Sequence, residues 1–125
     1  LKAIVVSSDT YFYSAANDMG VDLIHDFMKP WGFGQLTGID VDGEATGILP
    51  STEWKRRRYK QKWIPGETIS IGIGQGYNNF TMLQLAHATA TLAADGVVMK
   101  PHLVREIEDP VTRRREMTVK TAQYR

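Results

Sequence analysis

The chain has 125 residues, 42% of them apolar and 23% charged, with 15 basic against 14 acidic side chains and no cysteine. Such a length fits one domain able to bury roughly two thirds of its unfolded surface, and the composition excludes wholesale disorder. Disulfides, zinc–thiolate sites and cysteine nucleophiles are excluded, a formal charge of +1 supplies no global field for nucleic acid or anionic membrane, and no stretch approaches a membrane span.

The chain opens on Leu1, and "LKAIVVSSDT" has neither the apolar length nor the cleavage site of a signal peptide, so it reads as an internal piece of something longer. The cluster Ser7-Ser8-Asp9 follows. Ser8 or Asp9 suits the N-cap of a helix, since either oxygen can accept an N–H of the first turn. A hydroxyl and a carboxylate two residues apart could equally relay a proton or hold an amide substrate.

From Thr10 to Met19, Phe12, Ala15, Ala16 and Met19 recur at the spacing of a helix with one buried face, and Gly20 suits its end. A second short helix, with Leu23, Ile24, Phe27 and Met28 inward, ends before Pro30 and forms an antiparallel pair with the first. "WGFGQLTGIDVDGEATGILP" is too rich in glycine for helix or strand and is expected to be an ordered loop.

"EWKRRRYKQKW" interleaves six basic residues, Lys55, Arg56, Arg57, Arg58, Lys60 and Lys62, with Trp54, Tyr59 and Trp63. Such a run could contact a nucleic-acid backbone, but the near-neutral total favours a solvated face anchored by its aromatics, and no nucleic-acid partner is expected. In "TISIGIGQGYNNF", Ile69, Ile71 and Ile73 alternate with small residues, the period of extended chain, before a glycine-rich turn. "GIGQG" lacks the lysine and the spacing of a phosphate loop.

From Thr81 to Gly96 the sequence predicts a helix opened by a Thr81–Gln84 capping box, with Leu85, Ala88, Leu92 and Met82 as its apolar stripe. "VVMKPHLVREIED" reads as extended chain broken at Pro101, and "PVTRRREMTVK" as a hairpin around a basic turn. His25, His87 and His102 lack metal-ligand spacing, and no cofactor is expected. The fold class predicted is α+β, helix-rich.

Taken in order, "SSDTYFYSAANDMG", "WGFGQLTGID", "GILP", "GIGQGYNNFTMLQLAHATATLAADG" and "KPHLV" resemble consecutive landmarks of the transpeptidase domain of class B penicillin-binding proteins, most closely their elongation branch, over about residues 5–104. In that superfamily the active site combines S-x-x-K, S-x-N or S-x-D, and K-T-G or K-S-G. The resemblance makes Ser7 and Asp9 the second motif, a wall of the active site that relays protons and orients polar groups. It implies a serine acyl-enzyme that cross-links peptidoglycan stem peptides and is trapped by β-lactams, in a parent anchored in the inner membrane with a periplasmic catalytic domain and partners in the elongation machinery.

Two departures from the pattern stand out. No serine here is followed three places on by lysine, so the nucleophile and its base are missing, and the chain alone is expected to be inactive. Lys120 and Thr121 resemble the start of the third motif, as substrate-binding residues, but Ala122 stands where the family has glycine. Residues 1–125 are therefore expected to be a partial transpeptidase domain, shortened by truncation, internal deletion or joining. Its apolar faces and strand edges could be covered by dimerisation or strand exchange. The competing reading is a non-catalytic domain that binds a cell-wall or protein partner.

Overall fold

The computed structural model describes residues 1–117 and 123–124. In chain order they form α1 (Lys2–Val5), α2 (Asp9–Met19), α3 (Val21–Met28), a 3-10 turn (Lys29–Trp31), α4 (Thr52–Tyr59), α5 (Pro65–Gly72), α6 (Met82–Ala93), β1 (Val98–Met99), β2 (Glu106–Glu108), β3 (Arg115–Met117) and β4 (Gln123–Tyr124). The strands pair antiparallel as β1 with β4 and β2 with β3, so the architecture is the expected helix-rich α+β.

Ser8 caps α2, its hydroxyl accepting the Tyr11 N–H at 3.4 Å. Gly20, at φ 76°, is the single residue between α2 and α3. Most of the predicted stripe of α2 points inward: Ala16 is buried and Phe12 and Ala15 are half-buried, whereas Met19 at the end is exposed; all four line an apolar cavity of about 250 Å³ shared with Ile71 and Gly72 of α5.

The expectation of extended chain at residues 69–73 is overturned, because α5 occupies this stretch. Pro65 pre-sets the first turn, and the Glu67 carboxylate accepts the Ile64 N–H at 3.0 Å, closing the helix start. The small residues that made the pattern look alternating are what lets α5 approach α2. A Cβ added at Gly72 would lie 2.4 Å from Cβ of Ala16 and 3.0 Å from the Phe12 carbonyl oxygen.

The residues between the 3-10 turn and α4 form the ordered loop expected. It is held by an isolated bridge, Ile48 N–H to the Asn79 carbonyl and back, and by Glu44, which accepts from the Thr37 hydroxyl at 2.6 Å and from the backbone of Thr37 and Gly38. Phe33 and Leu49 of this loop pack with Ala88 of α6, flanked by Met28, Trp31 and Phe80. Asp40 accepts the N–H groups of Leu103 and Val104, tying the loop to the chain beyond β1.

Helix α6 has its predicted capping box, with reciprocal bonds between Thr81 and Gln84. Its predicted stripe is mostly on the wrong face. Ala88 is buried, but Met82, Leu85 and Leu92 are exposed, while Gln84 and Thr91 point inward. The reason is a polar one: Gln84 donates both hydrogens of its amide, to the carbonyls of Gln35 and Thr46 at 2.7 Å each, so the glycine-rich loop satisfies its backbone on this side chain. The hairpin also begins earlier than expected, Glu106–Glu108 pairing with Arg115–Met117 around a turn that Asp109 closes by accepting from Val111 and Thr112.

In α4 the basic run is not simply a solvated face. Lys55 is 1% exposed, its ammonium bonded to the Glu67 carboxylate and lying 5.6 Å from the Tyr77 ring centre and 5.8 Å from that of Trp63. Tyr77 donates its hydroxyl to the same carboxylate at 3.2 Å. Burial pushes the Glu67 carboxyl up, but the hydrogen bonds from Lys55, Ile64 and Tyr77 outweigh it and hold the group below the ordinary carboxylate range.

Two outcomes follow for stability. Gly72→Ala forces α2 and α5 apart and should lower stability by about 1–3 kcal/mol, read as a shifted urea midpoint. Because the folded pKa of Glu67 is depressed, its stabilising contribution is complete above the ordinary carboxylate value and is lost as pH falls through the depressed one. Glu67→Gln should therefore melt well below the native chain at pH 7, with the gap closing in acid; a gap that stays constant with pH would contradict the charged pairing.

Candidate active-site cleft

Ser7 sits between α1 and α2 with φ 49°, a left-handed backbone that β-carbon-bearing residues seldom adopt, and its N–H is spent on the Ile4 carbonyl at 3.1 Å. This turn separates the three members of the cluster. Ser8 turns to the helix as its cap, which leaves Ser7 and Asp9 on the other side, both exposed and without a side-chain hydrogen bond among the described residues.

Ser7 and Asp9 line a cleft of about 320 Å³ together with Ile4, Phe12, Gly72 and Ile73. Three elements build it: α1 gives an apolar lip, the start of α2 gives the hydroxyl and the carboxylate, and the end of α5 gives a floor without a side chain at Gly72. Phe12 and Gly72 also wall the 250 Å³ apolar cavity, so one helix contact shapes both spaces. Strained backbone held beside a cleft is a mark of a site whose geometry the surrounding packing determines.

Ser7 and Asp9 are thus brought together. Lys120 and Thr121 lie outside the described residues. The floor of the cleft, Gly72 and Ile73, was not legible as part of a site, because the glycines around it carried no phosphate-loop spacing. The histidines do not converge. His25 Nδ1 lies 3.2 Å from the carbonyls of Leu49 and Pro50, and His87 Nε2 lies 2.6 Å from the Met99 carbonyl. Among the described residues no group of three His, Asp or Glu side chains could hold a metal ion, and no helix is long and apolar enough to cross a membrane.

Residues 1–124 match the family described as penicillin binding protein transpeptidase domain. A peptidoglycan D,D-transpeptidase MrdA of Haemophilus influenzae is 51% identical over 88% of this chain and 17% of its own length, and that of Escherichia coli 44% identical over 82% and 16%. Among solved structures, penicillin-binding protein 2 of Pseudomonas aeruginosa aligns with TM-score 0.77 at 50% identity, over 82% of this chain and 23% of that one. The protein of the same name from Helicobacter pylori, solved in complex with MreC, aligns with TM-score 0.76 at 37% identity, over 81% and 19%. The chain spans about a sixth of the length of the curated relatives it matches. With the family matched along nearly its whole length, the chain belongs to the penicillin-binding protein transpeptidase domains.

Proposed function

We propose that the chain supplies the second-motif wall of a serine peptidoglycan D,D-transpeptidase, with Ser7 and Asp9 as the working residues. The observation that carries this reading is the segregation of the Ser7-Ser8-Asp9 cluster: Ser8 serves the fold as a helix cap, and the other two serve the cleft. The names of the relatives, all about half identical or somewhat less, supply the substrate class.

In the reaction a serine of the S-x-x-K motif, which is absent from this sequence, attacks the carbonyl next to the terminal D-alanine. Its proton passes to the neighbouring lysine as the C–O bond forms. When the amide C–N bond breaks, the departing amine needs a proton, and in this reading the Ser7 hydroxyl passes one on from that lysine. An amine of a neighbouring stem then attacks the ester, and the same relay runs in reverse. Asp9, two residues along the chain, orients the polar groups of the cleft. The left-handed backbone at Ser7 sets the direction in which its side chain leaves the chain toward the cleft, and a proton relay gains from such positioning.

The same reading treats residues 1–125 as part of a transpeptidase domain and extends to the parent's setting, an inner-membrane-anchored enzyme with its catalytic domain in the periplasm and β-lactams as inhibitors. The Helicobacter pylori relative solved with MreC supports partners in the elongation machinery. Lys120 and Thr121 would contribute the strand side of the substrate site.

Intact mass after incubation with a penicillin tests the reading, on this chain and on a version extended at both ends to the length of the curated relatives. Only the extended version should gain one β-lactam mass. Within it, Ser7→Ala should slow acylation by about 10²–10⁴-fold, the usual worth of a positioned proton-transfer group. Failure of the extended version to acylate, or unchanged speed in Ser7→Ala, would remove the acyl-transfer role.

A further inference from the structure

The near-neutral total charge conceals a separation of charge along the chain. Between Glu53 and Trp63 lie six of the fifteen basic residues and one of the fourteen acidic ones, a local charge of +5. The remaining nine basic and thirteen acidic residues leave the rest of the chain at −4. Lys55 is drawn inward by Glu67, so the surface charge is carried by Arg56, Arg57, Arg58, Lys60 and Lys62, all exposed. Successive helix positions turn by about 100°, so with Lys55 inward Arg57 points most directly outward and Arg56 and Arg58 flank it around α4, all three exposed.

Little on the molecule neutralises them. Glu53 lies 3.9 Å from Arg57, and Arg56, Arg58, Lys60 and Lys62 have no acidic partner among the described residues. A cation at a helix C-terminus stabilises the helix, but that effect is confined to the last turn and does not account for Lys60 and Lys62 beyond it. The base under the patch is firm: Trp54 packs edge-on against Tyr59 at 5.6 Å and Tyr77 at 5.2 Å.

Beside the patch opens a cavity of about 310 Å³ whose lining includes His25, Lys29, Ser51, Glu53, Trp54 and Arg57. It shares no lining residue with the Ser7–Asp9 cleft. The two carbonyls facing His25 Nδ1 can only accept, which assigns the proton to Nδ1 and leaves Nε2 unengaged. Lys29 and Arg57 bring two cations against the single carboxylate of Glu53, and Trp54 offers a ring to an apolar or sugar face. In and directly after this run the exposed large apolar side chains are Tyr59, at 47%, and Ile64, at 59%, a small apolar area beside five exposed cations for insertion into a bilayer. The surface suits a hydrated, carboxylate-bearing polymer.

We propose that α4 and the adjoining cavity are a docking site for the acidic stem peptides of a peptidoglycan strand. The identity of the polymer rests on the transpeptidase reading; the recognition rests on charge complementarity. Several weak contacts to one strand would raise the local concentration of its other stem peptides, as multivalent binding does.

Co-sedimentation with purified insoluble peptidoglycan tests this, using native polymer and polymer whose carboxylates have been amidated. The chain should pellet with the native polymer, and binding should weaken about tenfold on amidation, in Arg56→Gln/Arg58→Gln/Lys60→Gln, and in Lys29→Gln/Arg57→Gln, with melting temperatures unchanged. Equal binding to amidated polymer, undiminished binding by both variants, or equal capture by phosphatidylglycerol vesicles or single-stranded DNA at matched salt would overturn it. Penicillin acylation of the extended chain carrying the triple substitution separates the two readings: normal acylation with lost pelleting supports docking. Carboxylate-dependent pelleting without any acylation would support docking while removing the catalytic reading.

Discussion

The close approach of α5 to α2 at Gly72 is the constraint on which the rest of the site depends. Ala16 and the Phe12 carbonyl occupy the space that any larger residue at position 72 would need. Because the two helices touch there, the end of α5 becomes the floor under Ser7 and Asp9, and the stripe of α2 is covered at Phe12, Ala15 and Ala16. Contact made by small residues is sensitive: interiors this tightly packed do not deform smoothly when a methyl group is added.

Polar side chains do much of the interior work elsewhere. Gln84, 1% exposed, uses its amide as a clamp between the start of α6 and two carbonyls of the glycine-rich loop, and an added Cβ at Gly47 would lie 2.8 Å from its Oε1. Buried Lys55 with half-buried Glu67 and Tyr77 forms a second set that binds α4 to α5. Each set satisfies donors and acceptors that would be costly to bury alone, and each joins segments far apart in sequence. The apolar residues of α6, by contrast, face outward at Met82, Leu85 and Leu92, as do Leu1, Ile4, Val5 and Val6 around α1.

The proposed active-site cleft and the proposed docking surface are built by opposite means. At the cleft, backbone does the positioning: a left-handed Ser7 and a capping Ser8 put neighbouring residues on different sides of the chain. On α4, an interior ion pair does it: by taking one cation of the run inside, Glu67 orients the other basic residues outward. Acidification would weaken both the pairing and the loop anchors, since the Thr37 hydroxyl holds Glu44, and the Leu103 and Val104 amides hold Asp40, below the ordinary carboxylate range.

From the sequence by itself came helices α2 and α3, though Leu23 and Phe27 of α3 are exposed rather than inward, the ordered glycine-rich loop, the capped helix from Thr81 and the helix-rich α+β class. These rest on local rules, periodicity, caps and glycine, that act within a few residues. Tertiary structure alone decided that α5 packs directly on α2 at Gly72, that Gln84 and Thr91 rather than Leu85 and Leu92 face inward, and that Lys55 leaves a solvated run for the interior. Each of those outcomes depends on a partner distant along the chain: Ala16 for Gly72, the carbonyls of Gln35 and Thr46 for Gln84, and Glu67 for Lys55. Local pattern cannot register such a partner, because the hydrogen bond or close contact that outweighs it exists only once the two segments meet.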